Sequence, residues 1–206
     1  MMPRIHETAI VEPGVEIGEG TSIWDNAHVR AGAVIGENCI VGDKSYIGPG
    51  VVVGDLVKLN TSVYLCTGVV IERGVMISAH VVFTNDRFPR STDPDLVALR
   101  SSEPDETTLS TIVREGATIG AAAVVGPGLE VGRFAMVGMG SVVTRTVPPF
   151  HLVVGNPAKS IGFVCRCGHR LDDDPSSDST RVVNCSTCGR EYSINGSTVN
   201  ERDGRR

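Results

Sequence analysis

Aromatic side chains are scarce in this sequence, which has one Trp, three Tyr and five Phe among its 206 residues. Hydrophobic residues nevertheless make up 41% of the chain, and glycine is frequent, with 24 residues. A core of this composition must be built from small aliphatic side chains, with many turns between short elements. The length suits one medium domain, or one domain with a small module attached.

A surplus of basic charge is also missing, because the formal net charge is −5 at neutral pH. Nucleic-acid binding draws much of its affinity from a basic surface, so this balance argues against it. No apolar run approaches the length of a membrane-spanning helix, and the start of the chain lacks the apolar stretch of a signal peptide. We therefore expect a cytoplasmic protein, whose six cysteines serve as thiols or metal ligands rather than disulfides.

A six-residue repeat runs through most of the chain. One aliphatic residue, replaced once by phenylalanine, recurs at every sixth position, and the series resumes after a single interruption. A small or β-branched residue usually stands two positions earlier, and glycine often follows directly. These repeat residues are Ile5, Val11, Ile17, Ile23, Val29, Ile35, Val41, Ile47, Val53, Leu59, Leu65, Ile71, Ile77 and Phe83, then Val113, Ile119, Val125, Val131, Val137 and Val143.

A period of six fits neither an α-helix nor an alternating strand, but it fits a solenoid in which three hexads close one coil. The repeat residue and the residue two before it should point inward. We expect the glycine after each repeat residue to serve corners where the backbone needs a positive φ. The predicted fold class is all-β, a left-handed parallel β-helix, with the handedness taken from known hexapeptide repeats. Cys39 should lie in its core, and Cys66 should be a passive thiol.

Residues three hexads apart should lie above one another on the outside of such a solenoid. The only Trp and two of the three Tyr fall in outward columns of this kind. Two interpretations stay open: a solvated surface without a role, or a face covered by a ligand or another subunit. The columns are His28, Tyr46 and Tyr64; Asn26, Lys44, Ser62 and His80; and Trp24, Gly42 and Asn60.

The interruption, residues 84–112, is rich in Pro, Ser, Thr and Asp and predicts a protruding loop with at most one short helical turn. A loop this long within a compact solenoid is usually functional, although a disordered insertion is the alternative. Its arginines, Arg87, Arg90 and Arg100, suit phosphate or carboxylate groups because the guanidinium presents forked donors.

Three residues near the start of the loop are candidates for chemistry. His80 can act as a general base, or it is an ordinary surface or interface histidine. Asp86 is an alternative base, or a group that orients a substrate amine. Asn85 can form hydrogen bonds but cannot take a proton.

The repeat is absent after Val164, where two close cysteine pairs occur, each followed by glycine. Four thiolates close a tetrahedral site, which predicts a structural zinc ion in a ribbon-like module. The first pair is unusually tight, so His169 is an alternative ligand, and a metal-free or redox pair remains the other interpretation. We divide the chain into a β-helix domain, residues 1–163, and a zinc-ribbon-like tail, residues 164–206. The predicted ligands are Cys165, Cys167, Cys185 and Cys188.

Several stretches are familiar in combination: "TSIWDNAHVRAGAVIGENC", "VVFTNDRFPRS", "TIVREGATIGAAAVV", "GSVVTRTVP" and "VVGNPAKSIGFVCRCG". Across about residues 15–170 the chain resembles the hexapeptide N-acetyltransferases that act on nucleotide-linked 3-amino sugars in bacterial surface polysaccharide synthesis. Within that family it looks most similar to the enzymes for a UDP-linked 3-amino glucuronate sugar. The "FTND…PRS" and "GNPAK" blocks carry the resemblance, since the hexads alone occur in many transferases.

The resemblance implies acetyl-CoA as the donor, a homotrimer, and active sites between neighbouring subunits. It also implies that Asn85 and Asp86 meet the sugar. An amine that attacks a thioester mainly needs placement against the carbonyl and stabilisation of the oxyanion. The leaving thiolate can itself collect the proton, so we rank Asn85 and Asp86 above His80.

The resemblance extends to further positions. The sequence departs from the family pattern at "IWDNAH", where Asp25 stands in place of a first histidine and His28 keeps the second. The expected substrate-binding residues are Trp24, His28, Arg87 and Arg90. Small residues of the later coils are expected to line the coenzyme, and two cations to meet its phosphates: Ala121, Ala122, Gly138, Gly140, Arg145 and Lys159.

Other functions stay open beside this one. Within enzymes, the alternatives are acetylation of a dTDP-linked 3- or 4-amino hexose and O-acetyl transfer. A non-catalytic β-helix that serves as a binding platform is a further alternative. A carbonic anhydrase on the same scaffold would need three converging histidines, and His6, His28, His80 and His151 do not have the spacing for such a set.

Overall fold

Each hexad folds into a short strand that ends in a turn. The computed structural model describes residues 1–171 and 179–202, and these ranges contain no helix, hence none suited to crossing a membrane. The strands of the solenoid are β1 (Arg4–Ile5), β2 (Ile10–Val11), β3 (Glu16–Ile17), β4 (Ser22–Ile23), β5 (His28–Val29), β6 (Val34–Ile35), β7 (Ile40–Val41), β8 (Tyr46–Ile47), β9 (Val52–Val53), β10 (Lys58–Leu59), β11 (Tyr64–Leu65), β12 (Val69–Ile71), β13 (Met76–Ile77), β14 (Val82–Phe83), β15 (Thr111–Val113), β16 (Thr118–Ile119), β17 (Val124–Val125), β18 (Glu130–Val131), β19 (Met136–Val137), β20 (Val142–Val143) and β21 (His151–Val154).

Every third strand lies on the same face, so the solenoid has three parallel sheets. The first sheet begins β1-β4-β7-β10, the second is β2-β5-β8-β11-β14-β17-β20, and the third runs from β3 to β18. Each strand pairs with the strand three hexads later, as Ile5 does with Ile23. The predicted parallel β-helix is confirmed, and the three outward columns follow from this register.

The inward positions are those that the repeat predicted. Repeat residues from Ile23 to Val143 are buried, and so are the residues two before them except Leu129, which is half-buried. Hydroxyl groups at these inward positions form hydrogen bonds with the backbone of the solenoid. Thr21 Oγ1, for example, donates to the Gly36 carbonyl at 2.7 Å and accepts the N–H of Cys39 at 2.9 Å. Cys39 lies in the core, as expected.

The glycine prediction was wrong in its reason. Positive φ falls three positions after the repeat residue, at Gly14 and Gly74 for example, and also at non-glycine residues such as Lys44 and His80. The glycine directly after the repeat residue is needed for space instead. A Cβ on Gly42 would lie 2.5 Å from the carbonyl carbon of Asn60, in the next coil.

The interruption does not disturb the register. Ile77 pairs with Ile119, seven hexads later instead of three, so the excursion inserts a whole number of hexads between two rungs. Thr111 and Ile112, which we predicted in the loop, belong to strand β15 and pair with β12. The excursion therefore comprises residues 84–110.

The tail continues from the end of the solenoid. Strand β22 (Lys159–Val164) pairs antiparallel with β21 and with β23 (Arg170–Leu171), whereas β24 (Arg181–Asn184), β25 (Glu191–Asn195) and β26 (Thr198–Arg202) form a separate antiparallel sheet. Because β22 crosses residue 163, the proposed domain division there stays a prediction. Residues 172–178 and 203–206 of the predicted tail lie outside the described residues.

A second hydrophobic cluster joins the tail to the solenoid. Phe134 and Phe150, from the last coils, pack with Tyr192 of the tail, and the Phe150 and Tyr192 rings are 5.5 Å apart. His151 is buried beside this cluster. Its Nδ1 lies 2.9 Å from Ser160 Oγ, and its Nε2 lies 2.8 Å from the Ser197 carbonyl oxygen. The tail thus shares an apolar core with the last coils.

A glycine that is needed for space and a glycine at a positive φ should differ in how much stability an alanine substitution removes. Gly42→Ala should lower the free energy of unfolding by about 2 kcal/mol or more, because its Cβ meets backbone that cannot move without separating two coils. Gly74→Ala should cost about 1 kcal/mol at most, because Gly74 has a φ of 68° but open space around it. Urea unfolding of both variants at one protein concentration measures the difference. Equal costs would contradict the spatial explanation.

Burial of His151 predicts an acid-sensitive junction. Burial lowers the pKa of His151 below its ordinary value of 6.5, so the unfolded chain binds the proton more readily than the folded one. Its contribution to stability is therefore full above pH 6.5 and declines as the pH falls below that value. Thermal unfolding between pH 7.5 and 5 should show a smaller loss in His151→Asn than in the parent chain. His80→Asn, which alters an exposed histidine, is the control.

Candidate functional site

The excursion is the predicted protruding loop, and it folds back on itself as an irregular hairpin without regular strands. It leaves the solenoid after β14 and returns antiparallel to itself, through bridges between Asp86 and Thr108 and between Thr92 and Leu99. Backbone hydrogen bonds such as that from Arg100 N to the Ser91 carbonyl, at 3.0 Å, continue the pairing between these bridges. The hairpin therefore projects from one corner of the solenoid with a fixed base.

Asn85 holds the hairpin in place where it leaves the solenoid. Its carbonyl oxygen accepts the N–H of Leu109 at 2.7 Å, which joins the two legs of the hairpin. Its side-chain Nδ2 donates to the carbonyl of Thr67, one coil below, at 3.0 Å. The Asn85 amide is thus held in one orientation by the neighbouring coil and is half-buried.

A groove of about 620 Å³ lies between the hairpin and the second sheet, and Asn85 lies in it. This volume falls in the range of small-molecule sites, roughly 300–1,000 Å³. A smaller cavity of about 140 Å³ adjoins it under the hairpin and shares Asn85 and Thr67 with it. The groove is lined by Arg30, Tyr46, Pro49, Tyr64, Cys66, Thr67, Asn85, Ser102, Glu103 and Pro104.

The structure brings part of the predicted site together. Asn85, Asp86, Arg90 and Arg100 all line the small cavity under the hairpin. Asp86 Oδ1 accepts the N–H of Phe88 at 3.0 Å, which turns the first leg outward. Arg90 and Arg100 each donate to a hairpin carbonyl, so both guanidinium groups are partly engaged within the hairpin itself.

Other predicted residues lie elsewhere. Arg87 is exposed, over the ring of Phe88 at 5.5 Å, and lines neither cavity. His80 is exposed at the corner before β14, whereas Asn85 follows that strand, so the two lie at opposite ends of one rung. Trp24 lies at the same corner as His80 but nearer the N-terminal end of the solenoid. The Arg4 guanidinium lies 5.3 Å from its ring, and Trp24 does not line the groove.

His28 belongs to a network beside the groove that the sequence revealed only in part. Its Nε2 lies 2.9 Å from Glu12 Oε1, and its ring meets the edge of Tyr46 with centroids 5.7 Å apart. Glu12 also accepts the N–H of Ala31, and Arg30 Nε lies 2.6 Å from Glu12 Oε1. The Ala31 N–H, assisted by His28 and Arg30, holds the pKa of Glu12 below its ordinary value.

Arg30, Tyr46 and Tyr64 are groove residues that our list of site residues omitted. The tyrosines were visible in the sequence as an outward column, which we left open between a solvated and a covered face. Arg30 gave only a weak signal: it stands directly after a repeat residue, a position that glycine holds in nine of the twenty hexads, and many other residue types occur there. Cys66 also lines the groove, and burial raises the pKa of its thiol to about 11. Cys66, predicted to be a passive thiol, is thus a protonated residue of the groove lining.

Four of the six coenzyme candidates gather at a different corner. Ala122 and Gly140 occupy the left-handed position in the column above His80, and their N–H groups donate to carbonyls of the preceding coil. Gly138 leaves no room for a side chain, because its Cβ would lie 2.6 Å from Val154 Cγ1. Ala121 is half-buried beside them. The corner that these four residues share precedes the second sheet, while Asn85 follows that sheet. Arg145 and Lys159 are exposed, and Arg145 does not join the four, because it follows β20 as Asn85 follows β14.

The four cysteines of the tail converge on one point. Their sulfur atoms all lie within 4.8 Å of one another, with Cys165 and Cys188 at 3.4 Å and Cys167 and Cys185 at 3.7 Å. A tetrahedral zinc–thiolate site has sulfur atoms about 3.8 Å apart, so this set fits such an ion. His169 Nδ1 lies 3.5 Å from Cys167 Sγ, but four thiols complete a site without it.

Tight turns set the spacing of the ligands. Gly168 N donates to the Cys165 carbonyl at 2.8 Å, and Gly189 N donates to the Cys185 carbonyl at 2.9 Å. The buried Tyr192 hydroxyl lies 3.1 Å from Cys165 Sγ and accepts the N–H of Arg166. The cluster can hold a metal ion, as the sequence predicted.

Comparison with known proteins agrees with the repeats. The family described as bacterial transferase hexapeptide (six repeats) matches residues 25–55, and the hexapeptide repeat of succinyl-transferase matches residues 111–145. The two matches fall on either side of the hairpin. Both parts of the solenoid therefore carry hexapeptide repeats of the kind found in bacterial transferases.

Two characterised relatives are acetyltransferases. One is dTDP-3-amino-3,6-dideoxy-alpha-D-galactopyranose 3-N-acetyltransferase of Aneurinibacillus thermoaerophilus, 45% identical over 82 residues, which are 40% of each chain. The other is serine acetyltransferase 4 of Arabidopsis thaliana, 39% identical over 93 residues, which cover 42% of this chain and 24% of the relative. The chain thus matches less than half the length of either relative.

A solved structure has the same fold. It is a variant of AntD, an N-acyltransferase from Bacillus cereus, in complex with dTDP and coenzyme A. The similarity has a TM-score of 0.52 and 19% sequence identity, and it covers 79% of this chain and 81% of that one. At this identity it supports the β-helix fold alone.

Proposed function

We propose that the protein is an acetyl-CoA-dependent N-acetyltransferase that acts on the amino group of a nucleotide-linked 3-amino sugar. The observation that carries this proposal is the groove that the hairpin closes around the oriented amide of Asn85. The similarity to a dTDP-3-amino-sugar 3-N-acetyltransferase supports the choice of substrate class. Synthesis of bacterial surface polysaccharide and a cytoplasmic location remain part of the prediction.

The chemistry needs placement more than a strong base. The substrate amine attacks the thioester carbonyl, the C–N bond forms, the C–S bond breaks, and the thiolate of coenzyme A takes the proton that the amine loses. Asn85 is suited to hold the sugar, because its amide is fixed from the coil below. Asp86 lines the adjoining cavity and can orient the amine, whereas His80 lies at the other end of the rung.

An assembly of chains would complete the site. The coenzyme candidates Ala121, Ala122, Gly138 and Gly140 share a corner with His80, whereas Asn85 and the groove follow the second sheet. Within one chain the two sets lie at different corners. A homotrimer, in which one copy offers the groove and its neighbour the coenzyme corner, brings the amine and the thioester together. In that arrangement His80 of the second copy lies on the coenzyme side.

Two sugars of this substrate class each have support. The resemblance of the "FTND" and "GNPAK" blocks favours a UDP-linked 3-amino glucuronate sugar. The relative with 45% identity acts on a dTDP-linked 3-amino-3,6-dideoxy sugar, which favours the alternative of a dTDP-linked amino hexose.

We also propose that the cysteine cluster binds one structural zinc ion. Four thiolates leave no open position for a substrate, so the ion would hold the two turns of the tail together. The nearby shared core with Phe134 and Phe150 then fixes this module on the end of the solenoid.

Activity tests the transferase directly. Purified protein with acetyl-CoA and a panel of UDP- and dTDP-linked amino sugars should release free thiol with at least one sugar. Asn85→Ala should lower kcat/KM roughly tenfold or more, because the sugar loses its positioning group. Asn200→Ala, which changes an exposed residue of strand β26, is the matched control and should leave the rate unchanged. Absence of thiol release with every amino sugar would reject the function, and a normal rate in Asn85→Ala would remove Asn85 from the site.

Metal analysis tests the zinc proposal. The purified chain should contain about one zinc ion, and Cys188→Ser should lose it. Chelation should lower the melting temperature of the parent chain but not of Cys188→Ser. Cys66→Ser, which changes a thiol of the groove, should retain the metal. A metal-free chain with full thermal stability would show that the cluster does not need an ion.

A further inference from the structure

One wall of the groove has no role in the site considered so far. It consists of Arg30, Tyr46 and Tyr64, on neighbouring rungs of the second sheet. The Tyr46 and Tyr64 rings are stacked, with centroids 5.0 Å apart and planes at 11° to each other. Tyr64 is 42% exposed although the core lies directly behind its strand. An aromatic pair thus presents its surface to the groove.

Arg30 is fixed at the end of this aromatic pair. Its Nη1 donates to the Tyr46 hydroxyl at 2.7 Å, its Nε lies 2.6 Å from Glu12 Oε1, and its Cζ lies 5.9 Å from the centre of the Tyr46 ring. A guanidinium carries five N–H donors, more than these contacts use, so Arg30 can also donate to an anion. Because these contacts already hold the Arg30 side chain in place, ligand binding does not have to immobilise it.

The wall leads to Asn85. Tyr64 is followed by Cys66 and Thr67 in the groove, and the Thr67 carbonyl accepts the Asn85 amide. A ligand along the groove therefore meets, in order, a fixed guanidinium, an aromatic surface, and the amide that we assign to the sugar. The hairpin residues Ser102 to Pro104 face this path from the other side.

We propose that Arg30, Tyr46 and Tyr64 bind the nucleoside diphosphate part of the substrate. A phosphate accepts hydrogen bonds from Arg30, and the pyrimidine base packs on the exposed surface of the tyrosine pair. This assignment rests on the proposed function, and it deepens that proposal by giving the substrate a direction in the groove. The nucleotide lies toward the Arg30 end, and the amino sugar lies at Asn85.

The hairpin arginines suit this role less well. The cavity that Arg90 and Arg100 share with Asn85 has about 140 Å³, too little for a nucleotide. Toward the hairpin tip they line a second cavity of about 470 Å³, whose other lining residues include no aromatic ring. Both arginines also donate to carbonyls of the hairpin, Pro89 and Phe88. A base would find no stacking surface there.

Nucleotide binding tests the wall separately from catalysis. Calorimetric titration with UDP and with dTDP should give weaker binding, roughly tenfold, in Arg30→Met and in Tyr64→Ala, while Tyr64→Phe keeps the affinity because the ring remains. Arg73→Met, at an exposed corner outside the groove, is the matched control for Arg30. The same wall variants should raise the KM for the nucleotide sugar and leave the KM for acetyl-CoA unchanged.

The outcomes separate the two proposals. Thiol release by the parent chain, together with unchanged nucleotide affinity in Arg30→Met and Tyr64→Ala, would overturn the assignment of these residues to the nucleotide. The proposed transferase function would still stand. If nucleotide binding depends on the wall but no amino sugar causes thiol release, the proposed transferase function is rejected and the nucleotide-binding role of the wall is supported. Sedimentation and thermal unfolding are measured for every variant. A changed oligomeric state in folded Tyr64→Ala would identify the wall as a subunit contact and overturn its assignment to the nucleotide.

Discussion

The parallel pairing of each coil with the next, three hexads along the chain, is the constraint on which the structure depends. Backbone N–H and C=O groups have to be satisfied between coils, as in the bond from His28 N to the Ser45 carbonyl at 2.8 Å. Any change of coil length would misalign every later rung. The repeat therefore has to place a core side chain in every hexad. Side chains that point outward are thereby stacked into columns whether or not a column has a function.

The hairpin shows how an insertion can respect this constraint. It inserts whole hexads between two rungs and returns the chain to the position that it left. Asn85 contributes to both requirements, because its backbone joins the legs of the hairpin and its side chain binds the coil below. A residue in this position has its amide fixed by the scaffold, which is what a positioning role in group transfer needs. The groove exists because the hairpin stands over a column of side chains that the solenoid would otherwise expose.

The same constraint makes the ends of a solenoid vulnerable, since the last rung has no further coil to pair with. Here strand β21 extends the first sheet, and β22 and β23 continue it in the antiparallel direction. Phe134 and Phe150 carry the core of the last coils into the tail, and the buried His151 connects the two by hydrogen bonds. The cysteine cluster lies beyond this junction. The tail therefore covers the end of the solenoid with apolar packing as well as through its cysteine turns.

The sequence alone determined the solenoid, its inward residues, its outward columns and the two cysteine pairs of the tail, because these depend on spacing along the chain. It also located Asn85 and Asp86 at the interruption. The reason for the glycines was misjudged, since whether a glycine serves φ or space depends on the neighbouring coil, as at Gly42. Only the tertiary structure decided which columns face the hairpin, and therefore that Arg30, Tyr46 and Tyr64 line a groove with Asn85 while His80 and Trp24 do not. That distinction depends on the path of the hairpin over one face, which the six-residue repeat does not predict.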